Sequence, residues 1–270
     1  MTNPQSWASA ADPTRRVGRA VEFHARIGST NDRARELLAG TDGEGVAVVA
    51  DLQTAGRGRR GRSWASPAGA NLLVSVGIRP RLDADRLPLL GLAAARAVLI
   101  ACRQAAPGVA LAVRWPNDVV SAEGRKLAGV LAEAASEAGQ PPEVILGMGI
   151  NTNWQRAEMP DEIAVSATSL REVTAAAVNR VALLGDLLEA LDRGVAELEA
   201  GGSPVPALRA DAWLDGKLVE VEAGERRVRG TVTGLRDDGA LLLLTDDGPV
   251  ALQVGEVVRV ASAGSAGVAA

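Results

Sequence analysis

The sequence predicts an α+β fold, a mixed sheet flanked by helices and followed by a small all-β, barrel-like domain. Three observations carry this expectation. Dense β-branched and apolar runs, GVAVVADLQ, ANLLVSVGI and EVILGMGINTN, read as buried strands. Two helix-period segments, Leu87 to Ala105 and Arg180 to Ala200, supply helical cover. From about Leu214 the pattern changes to short strands separated by glycine turns at Gly224, Asp238-Gly239 and Asp247-Gly248.

Residues 1–20 lack any unbroken apolar stretch and read as a disordered lead-in rather than a secretory signal. A weakly alternating strand covers 20–27, and STNDRARELLAG follows as a short helix with Ser29 and Asp32 at capping-box spacing. After GVAVVADLQ comes the loop AGRGRRGRSW, then the strand ANLLVSVGI. VALAVRWPND is a strand entering a turn, and KLAGVLAEA alternates enough for a strand although its alanines leave a helix open. The expected units are 21–212 as the site-bearing domain, 213–262 as the β domain and 263–270 as a flexible tail.

Composition narrows the chemistry. With 47% apolar and 23% charged residues the chain is a globular sequence, and its formal charge of -4 gives no field for nucleic acid or anionic lipid. Its single cysteine, Cys102, lies in an apolar helix as an inert thiol, which suits a reducing, cytoplasmic setting. The apolar segment around it contains Arg96 and falls short of the ~20 residues a membrane span needs. One histidine, one cysteine and no tyrosine exclude a His/Cys zinc site and leave chemistry to Arg, Lys, Asp and Asn.

Gly56, Gly58 and Gly61 fit G-x-G-x-x-G, and Gly56, Gly61 and Ser63 fit a P-loop except that Arg62 replaces its lysine. Both motifs need a helix next, whose N-terminal amides hold the phosphate, whereas here the next element is a strand. What survives is the charge. Arg57, Arg59, Arg60 and Arg62 repel one another on a glycine-rich loop, so ordering it calls for an anion rich in oxygens, such as a triphosphate.

The ordered series Gln53 to Arg62 leading into Trp64, then Arg114-Trp115-Pro116-Asn117-Asp118, Arg125-Lys126-Leu127-Ala128-Gly129 and Gly147-Met148-Gly149-Ile150-Asn151 resembles the biotin-protein ligase family. The resemblance implies a catalytic domain like those of class II aminoacyl-tRNA synthetases and an SH3-like C-terminal barrel. It also implies an activity: biotin and ATP give biotinoyl-5'-adenylate, and biotin passes to a lysine of a biotin carboxyl carrier domain, as in acyl-CoA or pyruvate carboxylase. ATP and biotin are then substrates, with Mg2+ as the accompanying ion.

By the same resemblance Ser29, Thr30, Asn31 and Gln53 line the biotin pocket, and Gly56, Arg57, Gly58 and Arg59 close over the biotin carboxyl end. Trp64 packs over the ligands, and Gly129 and Gly147 admit biotin close to the backbone. Arg59, Arg62, Trp64, Asn117, Lys126, Gly149 and Asn151 serve the nucleotide. Lys126 is the leading catalytic candidate, because an ammonium near both carboxylate and α-phosphate holds two anions together. Arg57 and Asp118 join it, with Asp118 open between orienting Lys126, holding metal and accepting a proton. Some 25 residues precede the similarity, too few for a three-helix DNA-binding domain, so no DNA binding or repressor activity is expected. Any oligomer is expected to be weak or ligand-dependent.

Two alternatives stay open at this level. A lipoate or octanoate ligase or transferase also acylates a carrier lysine, and an RNA-binding module would use the arginine loop and barrel as its surface, against which few aromatics count.

Overall fold

The computed structural model describes residues 4–135 and 140–261. The first part of the chain forms α1 (Pro4–Ala8), β1 (Ala20–His24), α2 (Thr30–Leu38), β2 (Val46–Ala50), β3 (Leu72–Ile78), α3 (Pro88–Ala105), β4 (Leu111–Arg114) and β5 (Asp118–Ser121). Then come β6 (Lys126–Ala135), β7 (Glu143–Ile150), α4 (Asp161–Ala164), α5 (Leu170–Thr174), α6 (Arg180–Glu199) and α7 (Val205–Ala210). The chain finishes with β8 (Leu218–Ala223), β9 (Arg226–Leu235), β10 (Leu241–Thr245), β11 (Gly248–Leu252) and β12 (Glu256–Val260).

Seven strands make one mixed sheet in the order β1-β2-β3-β7-β6-β5-β4, with β1 and β2 parallel and the other neighbours antiparallel. Strand alternation divides its two faces. Ala47, Val49, Val74, Val76 and Leu146 point to the main core with α3 and α6, whereas Val48 and Ile145 point the other way, against Ala34 and Leu38 of α2. On the α2 face the register brings Ser75 opposite Gly147, and Gly149 opposite both Leu73 and Gly129. Glycines thin the side-chain layer there, so α2 and the arginine loop approach the sheet backbone directly.

The lead-in is not disordered over its described part. Trp7 of α1 is fully buried, its ring stacks on Phe23 at 5.7 Å, and the Arg180 guanidinium lies 5.2 Å from its centroid. One large anchor offsets the polar composition that suggested a free tail. Residues 1–3 and the expected tail 263–270 lie outside the described residues. A second correction is β5, which follows the Trp115–Asn117 turn at once and pairs back on β4 from Leu111↔Ser121 to Arg114↔Asp118. KLAGVLAEA is strand β6, and Cys102 is fully buried with its thiol pushed up to about 12 by that burial. Among the described residues no helix is long and apolar enough to cross a membrane.

The last five strands form an antiparallel sheet, β11-β10-β9-β8-β12, in which no ladder joins β11 to β12 among the described residues. This unit shares its core with the first. Val113, Trp115, Leu208, Val232, Leu235 and Leu241 belong to one continuous apolar cluster, and Trp115 Nε1 donates to Gly239 O at 3.0 Å.

Candidate active site

A cleft of about 570 Å³ opens on the α2 face and runs beneath the arginine loop to β12. Its size suits a small-molecule site. Every site residue expected from the sequence lines it except Gly56. A Cβ there would come within 2.9 Å of Trp64 O, and Gly56 O accepts from Trp64 N at 2.9 Å, so Gly56 sets the course of the loop instead.

At one end lies a cluster of hydroxyls and amides. Gln53 Oε1 accepts from Thr30 N at 2.8 Å and Thr30 Oγ1 at 2.9 Å, and Ser75 Oγ lies 2.7 Å from Thr30 Oγ1 and 2.6 Å from Asn31 Oδ1. Ser29 is the N-cap of α2, yet its side chain makes no capping bond, and Asp32 turns to the arginine loop rather than closing a capping box. Asn31 fits only because residue 147 is glycine, where a Cβ would stand 2.1 Å from Asn31 Oδ1.

At the centre stands Lys126, with Nζ 2.7 Å from Asp118 Oδ1 and 5.4 Å from the Trp64 ring centroid. Asp118 Oδ2 accepts from Arg114 at 2.8 Å. Burial acts to raise the Asp118 carboxyl, but the charges of Lys126 and Arg114 outweigh it and hold it below its ordinary value. Asp118 is therefore held ionised beside Lys126. Both its oxygens already face cations, which does not fit a metal ligand, and no cluster of three His, Cys, Asp or Glu occurs among the described residues.

Trp64 lies over the sheet where β6 and β7 carry glycine, and a Cβ at Gly149 would reach 2.5 Å from its indole. Trp64 Nε1 and Trp154 Nε1 are buried without a hydrogen-bond partner in the described chain, and both residues line the cleft. Asn151 is more committed. It donates to Thr168 O at 3.0 Å and contacts Lys126 O at 3.5 Å, so in this state it braces the ends of β6 and β7.

In the arginine loop, protein groups take the place that the sequence assigned to an anion. It is a small hairpin, with an isolated bridge between Arg57 and Ser63, Gly58 N donating to Arg62 O at 2.6 Å, and Arg60 at the tip in the left-handed region, φ 57. Protein carboxylates supply the counter-charge. Arg57 forms a fork on Asp32 at 2.9 and 2.7 Å, Arg60 pairs with Glu222 at 3.1 Å, and Arg62 pairs with Glu256 at 2.6 Å. Arg59 instead takes neutral acceptors, Asn117 Oδ1 and Gly255 O, both at 3.2 Å. Burial pushes its guanidinium down from the ordinary arginine value, which marks a partly desolvated cation facing the cleft.

The chain is similar to known proteins over most of its length. Residues 23–151 match the biotin/lipoate A/B protein ligase family, and residues 216–260 match the biotin protein ligase C terminal domain. The biotin–[acetyl-CoA-carboxylase] ligase of Mycobacterium tuberculosis is 36% identical over 247 residues, covering 89% of each chain. This chain belongs to the biotin protein ligase family. The bifunctional ligase/repressor BirA of Bacillus subtilis is 34% identical over 86% of this chain and 71% of its own length. A biotin protein ligase from Aquifex aeolicus, solved in complex with biotin and ATP, superposes with a TM-score of 0.75 at 29% identity, covering 89% of this chain and 99% of that one.

The fold also brings to the cleft Ser75, Trp154, Ile163, Ala167 and Glu256, which stand outside the motif series of the biotin protein ligase family, and Arg114, which the series contains without a role. A signal existed for Ser75, a lone hydroxyl in the otherwise apolar strand LLVSVGI, buried on both faces. Glu256 comes from the far end of the chain and only the docking of β12 reveals it.

Proposed function

We propose that this chain activates biotin with ATP and transfers the biotinoyl group to a lysine of a biotin carboxyl carrier domain. Lys126 carries the reading. Held by Asp118 at 2.7 Å, its ammonium stands in the same cleft as the Ser29–Thr30–Asn31–Gln53–Ser75 cluster and the arginine loop, where a carboxylate and an α-phosphate can meet.

In this mechanism the hydroxyls and amides bind the ureido ring of biotin, Gly129 and Gly147 let it lie against the sheet, and Trp64 covers the chain. Lys126 draws the biotin carboxylate and the α-phosphate together and offsets the charge that gathers on the phosphoryl oxygens. A carboxylate oxygen attacks the α-phosphorus, and the bond to the bridging oxygen breaks and releases pyrophosphate. Arg59 and Arg62 receive the phosphates, and Mg2+ arrives on the nucleotide as part of the substrate. The carrier lysine, as the free amine, then attacks the acyl carbon; AMP leaves, and the proton lost by the amine passes to solvent.

The carrier is a domain of a biotin-dependent carboxylase, acetyl-CoA carboxylase being supported by the name of the M. tuberculosis relative. No DNA partner belongs to this reading, since a formal charge of -4 offers no general field for a nucleic-acid backbone. The test is ATP–pyrophosphate exchange with biotin, lipoate or neither, followed by transfer to a carrier domain. Exchange that depends on biotin supports the proposal. Exchange that prefers lipoate, or none with either acid, removes it.

A further inference from the structure

The four arginines of the loop are not equivalent, and the difference assigns work to two acidic residues that lie outside the cleft lining. Arg57 sets its fork on Asp32 of the first turn of α2. Its Nη2 also stands 3.4 Å from Glu133 Oε2 on β6. That same oxygen accepts from Asn31 Nδ2 at 2.8 Å and Arg35 Nη2 at 3.0 Å, and Arg35 reaches Asp32 at 3.2 Å. Asn31 in turn contacts Ser75 in the hydroxyl cluster. A carboxylate pair thus ties the base of the loop to the element that carries the proposed biotin contacts.

We infer that Asp32 and Glu133 are positioning residues that latch Arg57 and hold the arginine loop closed over the acyl-adenylate, so that the activated acid reaches the carrier lysine instead of solvent. The electrostatics agree. Hydrogen bonding from Arg57 holds the Asp32 carboxyl below its ordinary value, and Asp32 raises the Arg57 guanidinium in return. Burial acts to raise Glu133, but bonds from Asn31 and the charges of Arg57 and Arg35 bring it below its usual value. The latch is a two-toothed fork on one side and a shared oxygen on the other, the geometry in which an arginine–carboxylate pair fixes direction as well as distance. Arg59 faces the cleft on its neutral acceptors, while Arg57 ties the base of the loop to α2 and β6. This rests on the ligase reading of the cleft, and its test separates the two.

The experiment uses the full chain as wild type, Asp32→Asn, Asp32→Glu, Glu133→Gln and the double variant Asp32→Asn/Glu133→Gln. Each is loaded with labelled biotin and ATP, freed of unbound ligand, and followed for escape of biotinoyl-adenylate and for labelling of a bystander protein rich in lysine. Asp32 is half exposed, so its replacement leaves the fold intact, and melting curves check this. The expected result is adenylate formation within about twofold of wild type and escape about fivefold faster in Asp32→Asn, the scale of one exposed but bidentate ion pair. The double variant leaks more, and Asp32→Glu restores retention. Raising salt speeds escape from wild type and barely changes the double variant. Unchanged escape in the double variant, or leakage that merely follows a fall in Tm, overturns the latch while leaving the ligase reading in place. Wild type that forms no biotin-dependent adenylate overturns both.

Discussion

At the scale of single residues, the proposed chemistry turns on how Lys126 and Asp118 are held. Lys126→Ala removes the ammonium but leaves Asp118 bonded to Arg114 at 2.8 Å, so the buried carboxylate keeps a cationic partner. The fold should persist with a modest fall in Tm, and adenylate formation should drop about a hundredfold or more, the usual loss for one electrostatic group aimed at a transition state. Single-turnover formation of biotinoyl-adenylate is the measurement, and near-normal rates would remove Lys126 from its role. The same pair predicts a pH dependence with a definite sign. Because the native Asp118 carboxyl is held below its ordinary 3.8, the stability it contributes is complete above about pH 4 and is lost as pH falls through the lower native value. Acid titrations of wild type and Asp118→Asn should therefore run parallel above about pH 4 and converge below it. A low native value also makes this carboxylate a poor proton acceptor at neutral pH, so orienting Lys126 is the role its environment favours.

At the scale of elements, the arginine hairpin separates residues that a composition count treats alike. Arg59, held by Asn117 and Gly255 O and facing the cleft, is expected to matter for chemistry; Arg60, at the exposed tip on Glu222, is not. Arg59→Ala should cut adenylate formation about a hundredfold. Arg60→Ala should stay within about twofold, because it removes only an exposed pair worth about 1 kcal/mol or less. Equal losses in kinetics with biotin and ATP would contradict this division. The hairpin also marks where sequence stops being informative. Its charge, glycines and following strand are local facts, and the motif order located Gln53, Trp64, Asn117 and Lys126 on the cleft that the fold forms. The carboxylates that neutralise the loop were illegible, since they come from four separate elements: Asp32 read as a capping-box partner, and Glu133, Glu222 and Glu256 read singly as ordinary surface acids. Strand β5 escaped for a different reason, being four residues long and fused to the turn before it. Trp7 escaped because a single buried ring inside a polar run leaves no periodicity to detect.

At the scale of the whole molecule, the C-terminal sheet is part of the site's foundation rather than an appendage. Glu256 lines the cleft and pairs with Arg62, while Trp115, in the turn that precedes Asp118, donates to Gly239 O and packs in the core that both sheets share. A chain ended at residue 212 would therefore bare apolar surface on Leu92, Val113, Trp115 and Leu208, which line a common seam with Leu214, Val232, Leu235 and Leu241. Re-exposing even part of four such side chains costs about 5 kcal/mol. For a unit of this size that corresponds to a fall in Tm of about 15 °C, on a total stability that is itself only about 5–15 kcal/mol. The intact chain should accordingly unfold in one cooperative calorimetric transition, with van't Hoff and calorimetric enthalpies in agreement. The truncated chain should melt far lower or aggregate, and its loop should lose the pairs to Glu222 and Glu256 as well as its Gly255 acceptor. Two resolved transitions in the intact chain, with the truncated unit melting where the upper or lower one does, would mean that the two sheets fold independently and that the shared core contributes little to either.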